Sequence, residues 1–345
     1  MRIFIDIGHP AHVHYFRNFI RIMQDKGHQF FISARDKEIT HRLLDHYNLP
    51  YKTRGKGKKG MWGKFVYIVQ ADFLLVKWAI RFKPDLFISF ASPYAAHVAW
   101  LMKKPHFVFD DTEHASLNHM LYKPFSKEVI TPAFFQKDMG SKHIRFNSLM
   151  ELCYLHPRYF EHDHAFIREY GIKNNNEKLA LIRVVSWDAN HDVGLSGLSV
   201  EELKKLVEQL KPHYKILISA EGKLPEQFAS YKINIPPEKI HDLLYSTDLF
   251  ITEGATMATE AALLGTPVIY VNSLNAGTLK VLEQYGLIIN LRNSDHLISY
   301  IQKLIADPQI KEKWGSLSRE LIKKLCDPTE FLVDHITKYE LYKKQ

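Results

Sequence analysis

Cysteine is scarce in this chain: two among 345 residues, Cys153 and Cys326, far apart and outside any motif. Two such thiols make neither a disulfide framework nor a cysteine metal cluster, and they suit a reducing compartment. Long apolar runs are missing as well. No uninterrupted stretch approaches the roughly 18 residues of a membrane-spanning helix. The chain starts at once with Arg2-Ile3-Phe4-Ile5-Asp6-Ile7, which reads as a strand. That segment lacks the apolar core and small-residue cleavage site of a secretion signal. Low-complexity tracts and short repeats are also lacking. The expectation is a cytoplasmic protein.

What is present is ordinary for a globular protein: 46% hydrophobic and 24% charged residues. The length suits two domains of roughly 150–170 residues each. Charge is unbalanced, 46 − 38 = +8, with a pI of about 9.1. Such a balance favours anionic partners. Part of it lies in Lys52-Thr53-Arg54-Gly55-Lys56-Gly57-Lys58-Lys59-Gly60-Met61-Trp62-Gly63-Lys64-Phe65, six cations among glycines and large apolar groups. Read as a flexible loop, residues 52–65 can set lysines on lipid phosphates while Met61, Trp62 and Phe65 dip into an anionic membrane surface. The competing reading is a solvated basic loop. No nucleic-acid-binding module accompanies the charge, so nucleic acid is not expected.

Short β runs alternate with helical periods twice along the chain. In the first half, strands are expected at 2–7, 30–33, 85–90 and 106–110, with shorter ones at 129–130 and 144–146. Helices are expected near 13–26, 36–47, 62–82 and 93–102. The polar segment from Cys153 to Asn176 reads as a connection. The pattern then restarts, with strands at 179–184, 215–219, 249–252, 267–271 and 287–289. This predicts an α/β protein of two Rossmann-like domains with parallel sheets, 1–165 and 177–325, and a C-terminal tail or helix at 326–345.

The most informative segment runs from Leu249 to Ile269. It reads as strand, the small turn Gly254-Ala255-Thr256, helix, Gly265, strand. Free N–H groups and the dipole at a helix start form an anion site. Glu260 lies about one turn deeper. Its carboxylate can accept from a ribose diol while the helix start holds a diphosphate, which describes a nucleotide-sugar pocket. The plain alternative is an ordinary βαβ helix with a solvated glutamate.

Two clusters follow strands of the first half, where carboxyl ends face ligand crevices. His9, His12 and His14 follow the first strand. A neutral imidazole can take a proton from a hydroxyl or contact a diphosphate. Pro10 is expected to break any helical metal-binding arrangement of the three, and His14 to pack on the helix. Asp110, Asp111, Glu113 and His114 crowd a later strand end. Such a cluster is costly unless solvated or used. A sugar transfer that proceeds by direct attack needs a base for the acceptor hydroxyl. Glu113 is the first choice, with Asp111 and His114 as alternates and a loop-ordering role as the plain reading. No Asp-x-Asp pair occupies a strand end, so leaving-group stabilisation without metal is expected.

Five stretches carry a resemblance over nearly the whole chain: Asp6 through His14, Asp110 through Ala115, Ser186 through Gly194, Ser219-Ala220-Glu221-Gly222, and Glu253 through Pro267. On these the chain resembles a bacterial and archaeal family of unknown function described as predicted glycosyltransferases. The resemblance implies the GT-B architecture, two Rossmann-like domains facing a central cleft. The chain is more distantly similar to UDP-GlcNAc 2-epimerases, whose second domain has an Asp-Ser-Gly-Gly turn and a glutamate on the uridine ribose. Glu253-Gly254-Ala255-Thr256 and Glu260 match these by position. Thr112-Glu113-His114-Ala115 resembles their His-x-Glu-Ala-Gly-Leu-Arg motif, with the histidine displaced and the arginine missing.

The architecture implies that the loop after residue 184 meets the donor. Arg183 and His191 would then stabilise the departing diphosphate, and Trp187 would stack on sugar or base. Glu221 and Gly222 would border the nucleobase. The function expected is a glycosyltransferase of cell-surface polysaccharide synthesis. Its donor would be a nucleotide sugar, UDP-linked by the resemblance, and its acceptor a glycan or lipid-linked sugar. A UDP-sugar 2-epimerase or hydrolase and a non-catalytic nucleotide-sugar-binding protein are the alternatives. No cofactor is expected.

Overall fold

Strands buried on both faces organise each half of the chain, as parallel sheets require. The computed structural model describes residues 1–344 except 59, 173, 175–176, 185–197, 221 and 274–276. Contacts divide the chain into two units, Met1–Tyr159 with Leu325–Gln345, and Phe160–Lys324.

The first unit runs β1 (Arg2–Ile7), α1 (Pro10–Asp25), β2 (Gln29–Ala34), α2 (Thr40–His46), β3 (Tyr51–Thr53), α3 (Met61–Phe82), β4 (Leu86–Phe90), α4 (Pro93–Leu101), β5 (His106–Phe109), α5 (Ser116–Tyr122), β6 (Glu128–Pro132), β7 (His143–Phe146) and α6 (Leu152–Leu155). Its parallel sheet has the order β3-β2-β1-β4-β5-β6-β7. The second unit runs α7 (His164–Glu169), β8 (Leu179–Val184), α8 (Val200–Leu210), β9 (Lys215–Ala220), α9 (Ile240–Ser246), β10 (Leu249–Thr252), α10 (Ala255–Leu263), β11 (Val268–Val271), α11 (Gly277–Gln284), β12 (Ile289–Leu291), α12 (Leu297–Ile305) and α13 (Ile310–Lys324). Its parallel sheet has the order β12-β11-β10-β8-β9. The last helix, α14 (Pro328–Lys344), returns to the first unit and lies on α1. It buries Leu332, Val333 and Ile336 there.

Local sequence explains several boundaries. Pro10 begins α1 instead of breaking it, because the first helical position needs no N–H donor. Ser199 and Glu202 form a reciprocal capping box at α8. Gly265 ends the α10 turn at φ +73°, and a Cβ there would lie 2.7 Å from Gly315 Cα on α13. Only glycine permits both that backbone and that approach.

The centre of the first unit is ionic. Asp6 at the end of β1 is fully buried and accepts from Arg54 Nε at 2.9 Å, Ser33 Oγ at 2.7 Å and Ser92 Oγ at 2.5 Å. Arg54 is itself 2% exposed, donates to Tyr67 Oη and lies 4.5 Å from the centre of the Tyr94 ring. The pair therefore joins β1, β2, the end of β3, α3 and α4. The 52–65 segment thus differs from the expected loop. Arg54 faces inward, and Trp62 and Phe65 belong to α3.

Arg54→Met strands the Asp6 carboxylate without its cation. The first unit should lose about 3–5 kcal/mol, and Asp6→Leu added to Arg54→Met should recover part of that loss. Denaturant unfolding followed by circular dichroism measures both.

Candidate functional site

Each sheet reverses its winding direction at one place. In the first the reversal lies between β1 and β4, in the second between β8 and β10. Open α/β sheets bind ligands outside the carboxyl ends of strands at such a point. Described residues flagged by the sequence gather at both.

In the first unit, β1 delivers Gly8 and His9, and α1 begins immediately. His9 caps α1, its Nδ1 accepting from Ala11 N at 3.2 Å. His12 Nδ1 accepts from Gly8 N at 3.3 Å. Burial, with Lys37 beside it, lowers His9 from its ordinary value to about 4. Burial also holds His12 well below its ordinary range, helped by His9, Lys37 and Arg54. Both rings are therefore neutral at pH 7. With Nδ1 accepting, the proton of each resides on Nε2, assigned from the hydrogen-bond network. Each ring thus presents an N–H at Nε2. His14 turns away from them and packs between Tyr47 and Tyr154, buried.

The acidic cluster separates into different tasks. Asp110 is fully buried, taking a 2.5 Å bond from Tyr122 Oη and lying 3.2 Å from His119 Nε2. It organises the loop. Glu113 is half-buried and accepts from Gln136 N at 2.8 Å, which ties it to the loop after β6. His114 is exposed. Asp111 is half-buried, with its carboxyl raised by burial and by the neighbouring Asp110 to about 7. Thr112 Oγ1 donates to it at 3.0 Å, and Tyr15 bonds it as well. Tyr15 in turn stacks with His12 and touches Phe90, whose ring lies 4.7 Å from His12. His12, Tyr15, Phe90 and Asp111 thus form one contiguous group at the reversal point. The sequence reading missed Tyr15 and Phe90. Tyr15 stands three residues past His12, one helical turn, which was the available signal.

In the second unit, β10 leads through Glu253 and Gly254 into α10. Gly254 brings no side chain to the first turn, and its own N–H bonds Thr252 Oγ1 at 3.0 Å. Ala255 is half-exposed and Thr256 exposed, so the helix start is open to solvent. Glu253 is buried, and its carboxylate accepts from Leu198 N at 2.5 Å. Its carbonyl accepts from Asn272 Nδ2 at 3.0 Å. These bonds give Glu253 a scaffold role. Arg183, next to last in β8, donates to Ser219 Oγ at 2.6 Å, and Gly222 is half-exposed. Glu260 is 6% exposed and lies 3.1 Å from His241 Nε2 on α9. The solvated-glutamate reading does not fit that burial. His241 was missed, since it enters α9 like any core residue. Trp187, His191 and Glu221 lie outside the described residues. Among the described residues no three His, Cys, Asp or Glu side chains converge as a metal ion requires.

Comparison places this geometry among known proteins. UDP-GlcNAc 2-epimerase from Neisseria meningitidis bound to UDP-GlcNAc superposes with a TM-score of 0.72, at 12% identity, over 98% of this chain and 100% of that one. The Streptomyces sp. SF2575 glycosyltransferase SsfS6 superposes with a TM-score of 0.61, at 14% identity, over 98% and 99%. The fold is thus that of GT-B glycosyltransferases and these epimerases. The uncharacterized protein MJ0665 of Methanocaldococcus jannaschii is 23% identical over 349 residues, 98% of each chain. A family model matches residues 1–341, and the chain belongs to that family, described as Protein of unknown function (DUF354).

Proposed function

We propose that the chain is a glycosyltransferase that takes a sugar from a UDP-sugar and passes it to a hydroxyl of a glycan or lipid-linked acceptor in cell-surface polysaccharide synthesis. The observation that carries the reading is the open start of α10 at the reversal point of the second sheet, with Glu260 held one turn inside. N–H groups of Ala255 and Thr256 would meet the diphosphate, and Glu260, steadied by His241, the ribose hydroxyls. Arg183, with His191, would offset charge on the departing diphosphate as the anomeric C–O bond breaks. Trp187, Glu221 and Gly222 would border sugar and base. UDP-bound neighbours of the same fold support the nucleotide class. Free cysteines support a cytoplasmic setting.

The first unit would hold the acceptor and supply the base. Asp111 suits that role better than Glu113. A carboxyl near pH 7 is matched to proton abstraction, whereas Glu113 is engaged by Gln136. Asp111 would take the acceptor proton as the hydroxyl oxygen bonds the anomeric carbon. His9 and His12 would donate through Nε2–H to acceptor oxygens.

A UDP-sugar 2-epimerase or hydrolase is the second reading, favoured by the epimerase superposition. A panel of nucleotide sugars incubated without acceptor separates the two. Epimerised or free sugar in quantity supports the second reading. Donor binding without turnover, relieved by added acceptor, supports the first.

Asp111→Asn should lower turnover about a hundredfold or more and erase a rise in kcat/KM centred near pH 7. Glu113→Gln should retain most turnover; the opposite result moves the base to Glu113. A second readout concerns stability. Between the ordinary carboxyl pKa and about 7, folded Asp111 keeps a proton that the unfolded chain has lost, so its contribution to stability falls as pH rises through that window. Asp111→Asn should therefore raise Tm at pH 8 relative to pH 4, by about 2–4 °C per kcal/mol relieved.

Glu260→Gln keeps a partner for His241 and removes the charge. UDP affinity by calorimetry should fall by about 1.5–3 kcal/mol with Tm nearly unchanged. Unaltered affinity would leave Glu260 a purely structural role.

A further inference from the structure

Helix α3 is apolar on two faces. One face carries Tyr67, Ala71, Leu75 and Ala79, all buried. Leu75 and Ala79 pack with Ala95, Val98 and Ala99 of α4 over Phe4 and Phe87. The other face carries Trp62, Phe65, Val66, Val69, Phe73 and Ile80, all exposed, with Trp62 at 83% and Phe73 at 69%. At helical periodicity these six fall within a sector of about 100°, opposite the buried seam. The stripe runs along a helix of 22 residues, about 33 Å long. Beside it, α4 ends in exposed Trp100 and Leu101. Soluble surfaces rarely leave so continuous an apolar strip uncovered.

The charge around the stripe says what covers it. Between residues 56 and 83 stand seven Lys and Arg and one acid, Asp72. That segment supplies 7 − 1 = +6 of the chain's net +8. The single acid is already engaged, its Oδ2 2.9 Å from His97 Nδ1 on α4. Lys64, Lys77 and Arg81 on α3 are exposed, and Lys103 follows Trp100 and Leu101, exposed as well. Among the described residues no helix is long and apolar enough to cross a membrane. A helix that cannot cross, with aromatic and branched side chains outward and Lys77 and Arg81 along one edge, matches the plane of an anionic bilayer surface. Tryptophan and phenylalanine settle at the headgroup boundary, and lysine meets lipid phosphate.

We propose that the α3 stripe is a docking surface for an anionic lipid bilayer, with α3 lying in the interface. The element that inserts is thus a preformed helix face, and the basic segment before it supplies charge. The proposal does not rest on the transferase reading, since docking needs no nucleotide.

The test uses the full chain and sedimentation with vesicles of phosphatidylcholine containing about a third phosphatidylserine, against phosphatidylcholine alone. The chain should bind the anionic vesicles and bind the neutral ones weakly. Trp62→Ser/Phe65→Ser/Phe73→Ser removes exposed side chains and should keep the native circular dichroism and Tm. Its partitioning should fall about tenfold or more. Lys64→Glu/Lys77→Glu should weaken binding to anionic vesicles alone, and added salt should imitate it. Three results overturn the proposal. The first is no binding of the native chain, and the second is equal binding by the triple serine variant. The third is a stable lipid-free dimer that the triple variant turns monomeric, which assigns the stripe to a second copy of this chain.

Discussion

The first unit depends on one buried ion pair. Asp6 and Arg54 lie within the fold with almost no solvent contact, and each reaches partners from several elements. A buried pair of this kind adds little net stability, because desolvation offsets attraction. Its effect is positional. Asp6 accepts from Ser33 on β2 and Ser92 at the cap of α4, while Arg54 donates to Tyr67 on α3. A shift in any of these would leave a buried charge short of a bond. The ends of β1 and β2, the chain after β3, and the starts of α3 and α4 are therefore fixed together.

That constraint reaches the site. Gly8 follows Ile7 directly, and a Cβ there would lie 3.5 Å from Arg54 Nη2 and 3.7 Å from a carbon of the His12 ring. The cation beneath helps to keep His12 neutral, with Lys37 acting in the same direction. The field near Asp111 has the opposite effect on protonation. Burial, and Asp110 beside it, hold a proton on Asp111 until pH approaches 7. Neutral imidazoles and a carboxyl of raised pKa thus stand on neighbouring elements, joined through Tyr15. Environment and not residue type decides which group donates and which accepts.

Much of the architecture was legible because buried parallel strands and their turns leave strong signals. Leu179–Val184, Leu249–Thr252 and the α10 segment follow from apolar runs closed by Asp, Gly and Pro. The elements passed over were short or polar. Three-residue β3 has no period to read. Helix α7 hides in a charged stretch, although Asp163 caps it by accepting from Ala165 N and Phe166 N. For the candidate site, positions could be named from the sequence and partners could not. Histidines and acids after β1 and β5 could be flagged from strand ends alone. That Arg54 turns inward to Asp6, that Gln136 engages Glu113, and that His241 meets Glu260 all involve residues distant in sequence. No local pattern encodes such meetings.

Helix α3 shows the same limit from the other side. Its sequence is apolar nearly all round, which ordinarily marks a helix buried on every face. Periodicity cannot tell which of two apolar faces meets the core. Packing does. The buried face offers Ala71 and Ala79 beside Leu75, and α4 answers with Ala95 and Ala99. Tyr67 is buried on the same side, where it meets Arg54, and Trp78 and Phe82 pack against Phe31. Trp62, Phe65 and Phe73 are left outward. An apolar face excluded from the core in this way is stable in water only as far as the packing behind it is firm.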